Sequence, residues 1–309
     1  MEFVHIPVML NECLEGLNLK DNGVFVDGTI GGAGHSFQIL NRTKNAKLIG
    51  IDRDAEALTV CKQRLQQFGD RVTLVHDNFK NIDQILENLN IDKVDGILVD
   101  LGVSSYQLDN AERGFSFRYN SKLDMRMNTQ QTLSAYEVVN TYSQEQLKQV
   151  IKDYGEEKFA SSIARNIVKH REQQPIETTG ELKEIILKSV PRYKGKDGSS
   201  NVQRTFQAIR IEVNAELTGL TEFIHSAVNR LKQGGRLAIL TFHSLEDRIV
   251  KHTYRDLCTN CICPPDFPIC VCNHKAVGKL VNKYTTATQE ELKINSRSTS
   301  AKLRVIEKL

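Results

Sequence analysis

No stretch of the 309-residue chain approaches the roughly 18 uninterrupted apolar residues that a membrane helix needs, which excludes a helical membrane protein. The opening residues, Met1-Glu2-Phe3-Val4-His5, lack a basic segment followed by an apolar run, so no secretion signal is expected and the chain is expected in the cytoplasm. There is little excess charge: 41 Lys and Arg against 38 Asp and Glu leave a net +3, too weak alone to argue for nucleic acid. Internal repeats and low-complexity tracts are missing, which excludes a repeat array. Seven cysteines are an odd number in a chain without a signal, so they do not suggest a disulfide framework. What remains is an ordinary globular composition, 40% hydrophobic and 26% charged, long enough for one large core or two smaller ones.

Short apolar runs alternate with helical patterns through the first hundred residues. Val24–Asp27, Lys47–Asp52, Val72–His76 and Gly96–Asp100 read as strands; Ser36–Asn41 and Ala55–Phe68 read as helices between them. Strands that are apolar throughout and separated by helices imply a parallel sheet covered on both faces. From Tyr106 to about Ser200 that rhythm stops. Helical patterns take over at Gln144–Tyr154, Lys158–His170 and Glu181–Val190, with Pro175 and Pro191 as punctuation and a loop at 195–200. A long helical stretch, Gln203–Leu231, ends at Gly234-Gly235, and strands follow at Arg236–Thr241 and Ala301–Glu307. The expected architecture is α/β: one domain from 1–105 and 204–309, with a helical domain, 106–203, inserted after the fourth strand.

The turn after the first strand is Asp27-Gly28-Thr29-Ile30-Gly31-Gly32-Ala33-Gly34-His35. Glycines let backbone approach a ligand closely. The dinucleotide pattern G-x-G-x-x-G/A fails in every register, which disfavours a pyrophosphate and with it a nicotinamide oxidoreductase. An acid followed directly by a glycine loop suits S-adenosylmethionine, which carries a sulfonium and an ammonium and no phosphate. Asp52 ends the second strand about 20 residues on, where an acid can accept both ribose hydroxyls. Asp77-Asn78-Phe79 follows the third strand, with Phe79 placed to pack on an adenine, and Asp100 ends the fourth. Any one of these acids alone would be an ordinary helix cap.

Several stretches together resemble the MraW (RsmH) family of bacterial 16S ribosomal RNA cytosine-N4 methyltransferases. They are His5–Leu10, Asp27–Ser36, Gly50–Asp54, Asp95–Ser105, Gln107–Asp109, Glu112–Phe117, Leu123–Met127, Tyr154–Glu157, Arg204–Arg210 and Phe242–Arg248. The resemblance implies a Rossmann-like class I S-adenosylmethionine methyltransferase domain with an inserted helical domain for substrate recognition. It implies 16S ribosomal RNA within the small subunit as partner. Carried over residue by residue, the cofactor contacts are Ala33, Gly34, His35, Asp52, Phe79, Asp100 and Gln107, with Gly31 in the same loop. The family usually has two glycines before the histidine, and Ala33 replaces the first. Its methyl is tolerated if the residue keeps a negative φ and offers only its N–H, and cofactor binding is expected to survive.

For the chemistry, Asp100 is expected to hold the cofactor and orient the amine, Ser104 to add a hydrogen bond, and His243 to relay a proton. Equally, His243-Ser244 can open a helix capped by Ser244, with Glu246 and Asp247 in its first turn. Arg113, Arg118, Lys122 and Arg126, interleaved with Phe115, Phe117 and Tyr119, suit phosphate contact and base stacking, as does Arg210. Solvated loops, salt bridges and ordinary core aromatics are the plainer readings of the same residues. Arg192, Lys194 and Lys196 form a second basic group. Cys258, Cys261, Cys263, Cys270, Cys272 and His274 crowd one segment whose spacing is no standard finger; zinc ligation and free or reversibly oxidised thiols both fit, and a metal stays unassigned. Two rival functions remain: a methyltransferase of protein or small molecules, and a non-catalytic RNA-binding assembly factor on a methyltransferase scaffold.

Overall fold

The structure, a computed structural model, describes residues 7–191 and 197–309 except 262, 265, 266, 268, 270 and 273, and of Ser105 the backbone alone. Arg192, Lys194, Lys196 and Cys270 therefore lie outside the described residues. The chain divides into two compact units. One comprises the residues up to Gly102 together with Thr218–Leu309, the other Val103–Leu217.

The first unit is built on a sheet of eight strands: β1 (Val24–Asp27), β2 (Lys47–Asp52), β3 (Val72–His76), β4 (Val94–Asp100), β5 (Leu231–Thr241), β6 (Gly278–Leu280), β7 (Thr285–Thr286) and β8 (Lys302–Lys308). The spatial order is β3-β2-β1-β4-β5-β8-β6, with β7 also paired to β8. β1 to β5 run parallel and β8 enters antiparallel to β5. The order reverses between β1 and β4, so the crevice beyond the carboxyl ends of these two strands is the ligand position of an open α/β sheet. This is a Rossmann-like α/β architecture.

Alternation along each strand feeds two cores. Val26, Ile97, Val99 and Ile239 face helices Ile82–Asn88, Leu220–Asn229 and Ser244–Leu257 on one side. Phe25, Leu48, Leu98 and Leu240 face helices Leu10–Leu17 and Gly34–Asn41 on the other. Full burial of side chains such as Phe25 and Ile97 contributes about 1.5–3 kcal/mol each. The buried hydroxyl of Tyr254 donates to the Leu237 carbonyl at 3.1 Å, so the ring enters the core without an unmet donor.

The second unit is helical, with helices at Ala135–Thr141, Gln144–Gly155, Ala160–Arg171, Thr179–Ser189 and Ser199–Asn214 around one apolar core. Among its described residues there is no strand, only a single bridge between Lys122 and Thr178. The uninterrupted helix expected over Gln203–Leu231 is two helices. Ala215 (φ 47°) and Gly219 (φ 74°) are left-handed, which ends Ser199–Asn214 and restarts the chain at Leu220. Gly234, expected to stop that helix, instead sits at φ 74° in β5, where the β4 pairing shifts register.

Candidate active site

The carboxyl ends of β1 and β4 carry Asp27 and Asp100, on strands paired in register with Asp27 opposite Leu98. Asp27 is buried. Its Oδ2 accepts from Ser36 Oγ at 2.6 Å and its Oδ1 from the Thr29 N–H at 3.2 Å. Burial nevertheless pushes its carboxyl up to about 6, against the lowering effect of those bonds. The Asp100 N–H donates to Thr29 Oγ1 at 2.6 Å, which ties β4 to the loop after β1. Asp100 Oδ1 is buried with no hydrogen-bond partner among the described residues. Burial first, then the nearby charges of Asp27 and Glu246, push this carboxyl up to about 8.

Three acids share this neighbourhood, and the two at the strand ends are held away from their ordinary ionisation. A buried anion is costly unless paired. The orphaned oxygen and the raised carboxyls therefore fit a positively charged ligand, as the donor set of a sulfonium cofactor requires. Sequence reasoning read Asp27 as the acid that opens the glycine loop but did not place it among the cofactor contacts, and read Glu246 only as an acid in the first turn of a helix. The signal for Asp27 was there, an acid closing β1 beside the strand that carries Asp100.

The glycine loop is bolted down from within. The Gly31 N–H donates to Asp52 Oδ2 at 2.8 Å, and the Asp54 N–H to Asp52 Oδ1 at 2.9 Å. Burial raises the Asp52 carboxyl, and these two bonds pull the other way. Arg64 Nη1 donates to the Gly32 carbonyl at 2.7 Å, and Cys61 Sγ lies 2.9 Å from the Gly31 carbonyl.

Ala33 corrects an expectation. It is left-handed, φ 58° and ψ 26°, and not in the negative-φ region, and its N–H donates to the Ile30 carbonyl at 2.7 Å. A residue here pays the left-handed penalty of about 1–2 kcal/mol that glycine avoids. Gly34 is needed for packing, because a Cβ on it would lie 2.4 Å from Pro7 Cγ. His35 is buried, with Nε2 3.0 Å from the Val8 carbonyl, so its side chain serves the N-terminal segment. Phe79 is half-buried and packs edge-on against Phe223, centroids 4.7 Å apart. Beside it Gly28 has no room for a side chain, since a Cβ would come within 3.0 Å of Phe79 Cβ.

His243 is a helix cap. Its Nδ1 receives the Glu246 N–H at 3.5 Å, while Glu246 Oε2 accepts from the Phe242 N–H at 2.9 Å. Glu246 Oε1 lies 3.0 Å from His243 Nε2. The cap is therefore His243 and not Ser244, with Glu246 completing the reciprocal box. Ser104 and Gln107 belong to the second unit and form a similar box around the start of Ser105–Asp109. Ser104 Oγ accepts from the Gln107 N–H at 3.2 Å, and Gln107 Oε1 accepts from the Ser104 N–H at 3.1 Å.

Much of the basic stretch in the second unit is internal. Arg113 is buried and donates to the carbonyls of Arg126 and Met127. Arg126 grips Asp124 at 2.7 Å and the carbonyls of Thr129 and Gln131. Arg210 is bidentate to Glu216. Phe115 belongs to the core, and Phe117 packs edge-on against Phe206. Arg118, Tyr119 and Lys122 remain exposed.

The chain matches the MraW methylase family over residues 2–309. It belongs to that family. Its relatives include proteins named ribosomal RNA small subunit methyltransferase H. The one from Clostridium botulinum (strain Kyoto / Type A2) is 55% identical, with all of both chains covered. That from Lachnospira eligens is 52% identical over all of this chain and 99% of its own, and that from Clostridioides difficile 50% over all of both. As an MraW methylase the protein is a methyltransferase. Among the described residues no helix is long and apolar enough to cross a membrane.

Proposed function

We propose that this MraW methylase transfers a methyl group from S-adenosylmethionine to the exocyclic N4 amine of a cytosine in 16S ribosomal RNA of the small subunit, in the cytoplasm. The observation that carries the reading is Asp100, a half-buried carboxylate at the end of β4 whose buried Oδ1 is unpartnered and whose carboxyl is pushed up to about 8. When bound, S-adenosylmethionine supplies an electrophilic methyl on a positively charged sulfur.

Asp27 and Asp100 favour that charge, and Asp52 and Phe79 are assigned to the ribose and adenine. Asp52 also fixes the loop through Gly31, while Gly34 and His35 support it by packing. The N4 lone pair is delocalised into the ring, so the amine must be held in line and relieved of a proton. Asp100 Oδ1 accepts an N–H of the amine, which orients the nitrogen, and takes up its proton; the methyl and the neutral sulfur leaving group would be supplied by the bound S-adenosylmethionine. Ionised Asp100 would balance the positive charge of a bound donor, and Asp100 protonated would match the site once that charge is lost. The buried site thus carries the same charge before and after, which avoids an unpaired ion in low dielectric. His243 takes no proton in this scheme; it caps the helix that carries Glu246.

The basic, partly aromatic surface of the second unit is assigned to single-stranded RNA, which presents its base without the cost of opening a duplex. Arg118, Tyr119 and Lys122 are its exposed members. The test is methyl transfer from labelled S-adenosylmethionine to small subunits lacking the modification, followed by nucleoside mass analysis. N4-methylcytidine at one site is expected. Label in another base or in protein would refute the substrate, and cofactor binding without transfer would favour an assembly factor.

A further inference from the structure

Among its described residues, the segment between helix Ser244–Leu257 and β6 has no core cluster of its own. Three of its described apolar residues face outward: Phe267 is 52% exposed, Ile269 73% and Val271 66%. At its base it is closed by the Val277 N–H on the Leu257 carbonyl at 2.9 Å and the Ala276 N–H on Asn260 Oδ1 at 3.2 Å. Above that base none of the described residues is buried. A loop so built needs a cross-link.

The sulfurs of Cys261, Cys263 and Cys272 converge, all within 4.8 Å of one another. Cys261 Sγ and Cys272 Sγ are 3.8 Å apart, far beyond a disulfide bond of about 2.05 Å. That spacing has a simple meaning. A tetrahedral centre with zinc–sulfur bonds of about 2.3 Å has sulfur–sulfur edges of about 3.8 Å. Cys258 stands apart. It is the C-cap of the helix, and its sulfur is not among the three that converge.

We propose that Cys261, Cys263 and Cys272 hold a structural zinc ion that staples this segment. The three thiols give up their protons as the metal–sulfur bonds form, and the fourth position of the tetrahedron goes to one further ligand. Soft thiolates in a closed set select zinc over hard cations such as magnesium. The site is separate from Asp100 and its neighbours, so it governs the fold of the segment and not the methyl transfer.

The experiment is elemental mass spectrometry on full-length protein purified without a metal-binding tag or chelator. About one zinc per chain is expected, with loss of most of it in Cys261→Ser/Cys263→Ser. To separate loss of metal from loss of fold, a second measurement uses the unaltered protein. An organomercurial titration should release the zinc into a colorimetric dye, and refilling with cobalt(II) should give intense thiolate-to-cobalt absorption in the near ultraviolet. No zinc together with no such absorption would overturn the proposal. So would zinc retained in the double variant, or a disulfide between any two of the three cysteines in freshly purified protein.

Discussion

Asp52 receives the N–H of Gly31 at 2.8 Å on one carboxylate oxygen and that of Asp54 at 2.9 Å on the other. One side chain therefore holds both the glycine loop and Asp54, the residue that caps the following helix. Asp52→Ala should weaken S-adenosylmethionine binding at least tenfold and lower the melting temperature by several degrees. Asp52→Asn, which keeps one acceptor, should fall between. Calorimetric titration and thermal melts give both numbers, and unchanged affinity in the alanine variant would remove Asp52 from the site.

Asp100→Asn removes the proposed proton acceptor while keeping size. Turnover should fall by about 10²–10⁴-fold with the fold intact. An active variant would end the role assigned to Asp100.

The raised carboxyls also make stability depend on pH in a definite direction. Asp100 at about 8 and Asp27 at about 6 lie above their unfolded value of 3.8. Between that value and the folded ones, the native protein binds more protons than the unfolded chain. Stability of the cofactor-free protein should therefore fall as pH rises from about 4 to 8. Asp100→Asn should flatten the upper part of that decline, and S-adenosylmethionine should offset it while releasing protons near pH 7. Melting curves at several pH values and calorimetry in buffers of different ionisation heat read both effects. A melting temperature that rises across pH 6–8 would contradict the assignment.

His243 separates a cap from a proton relay by two substitutions. His243→Ala should cost roughly 0.5–2 kcal/mol of stability and lower activity. His243→Asn restores a cap and should recover both. Recovery of stability without activity would return His243 to the chemistry.

Arg113 and the pair Arg118 and Lys122 should behave differently despite being neighbours in sequence. Arg113→Ala leaves the carbonyls of Arg126 and Met127 without their donor and should destabilise the second unit. Arg118→Ala and Lys122→Ala should leave stability alone and make RNA binding less salt-dependent, each lowering the slope by about 0.7–0.9. Equal salt slopes in all variants would remove this surface from RNA binding.

The strands were legible because both faces of the sheet are covered, which turns them into apolar runs such as Leu98 and Val99 that no solvent-facing residue interrupts. Asp100 and Asp52 were legible for the same reason, as acids standing at the ends of those runs. Ala33 was not. Its left-handed backbone is set by the turn from Ile30, and nothing in the letter sequence except the absent glycine marks the position. The arginines failed differently. Charge is visible in sequence, but the carbonyls that Arg113 and Arg126 satisfy come from a loop whose path only the fold determines. His243 misled because a histidine near a strand end suits catalysis and capping equally, and Glu246 three residues later decides for the cap only once the geometry is known.

β8 lies between β5 and β6 and pairs antiparallel with both. Of the eight strands it is synthesised last, so the β5 edge at Arg236–Thr241 stays open while the intervening chain is made. At about 5–20 residues per second, on the order of ten seconds separate Leu217 from Lys302. Val103–Leu217 is continuous and carries its own core, so it can fold in that interval. An unpaired edge is what a nascent chain presents to chaperones and to other copies of itself while the helical unit is already finished. The middle of the sequence is therefore the first part of the protein to be complete, and the sheet that holds the acids is the last.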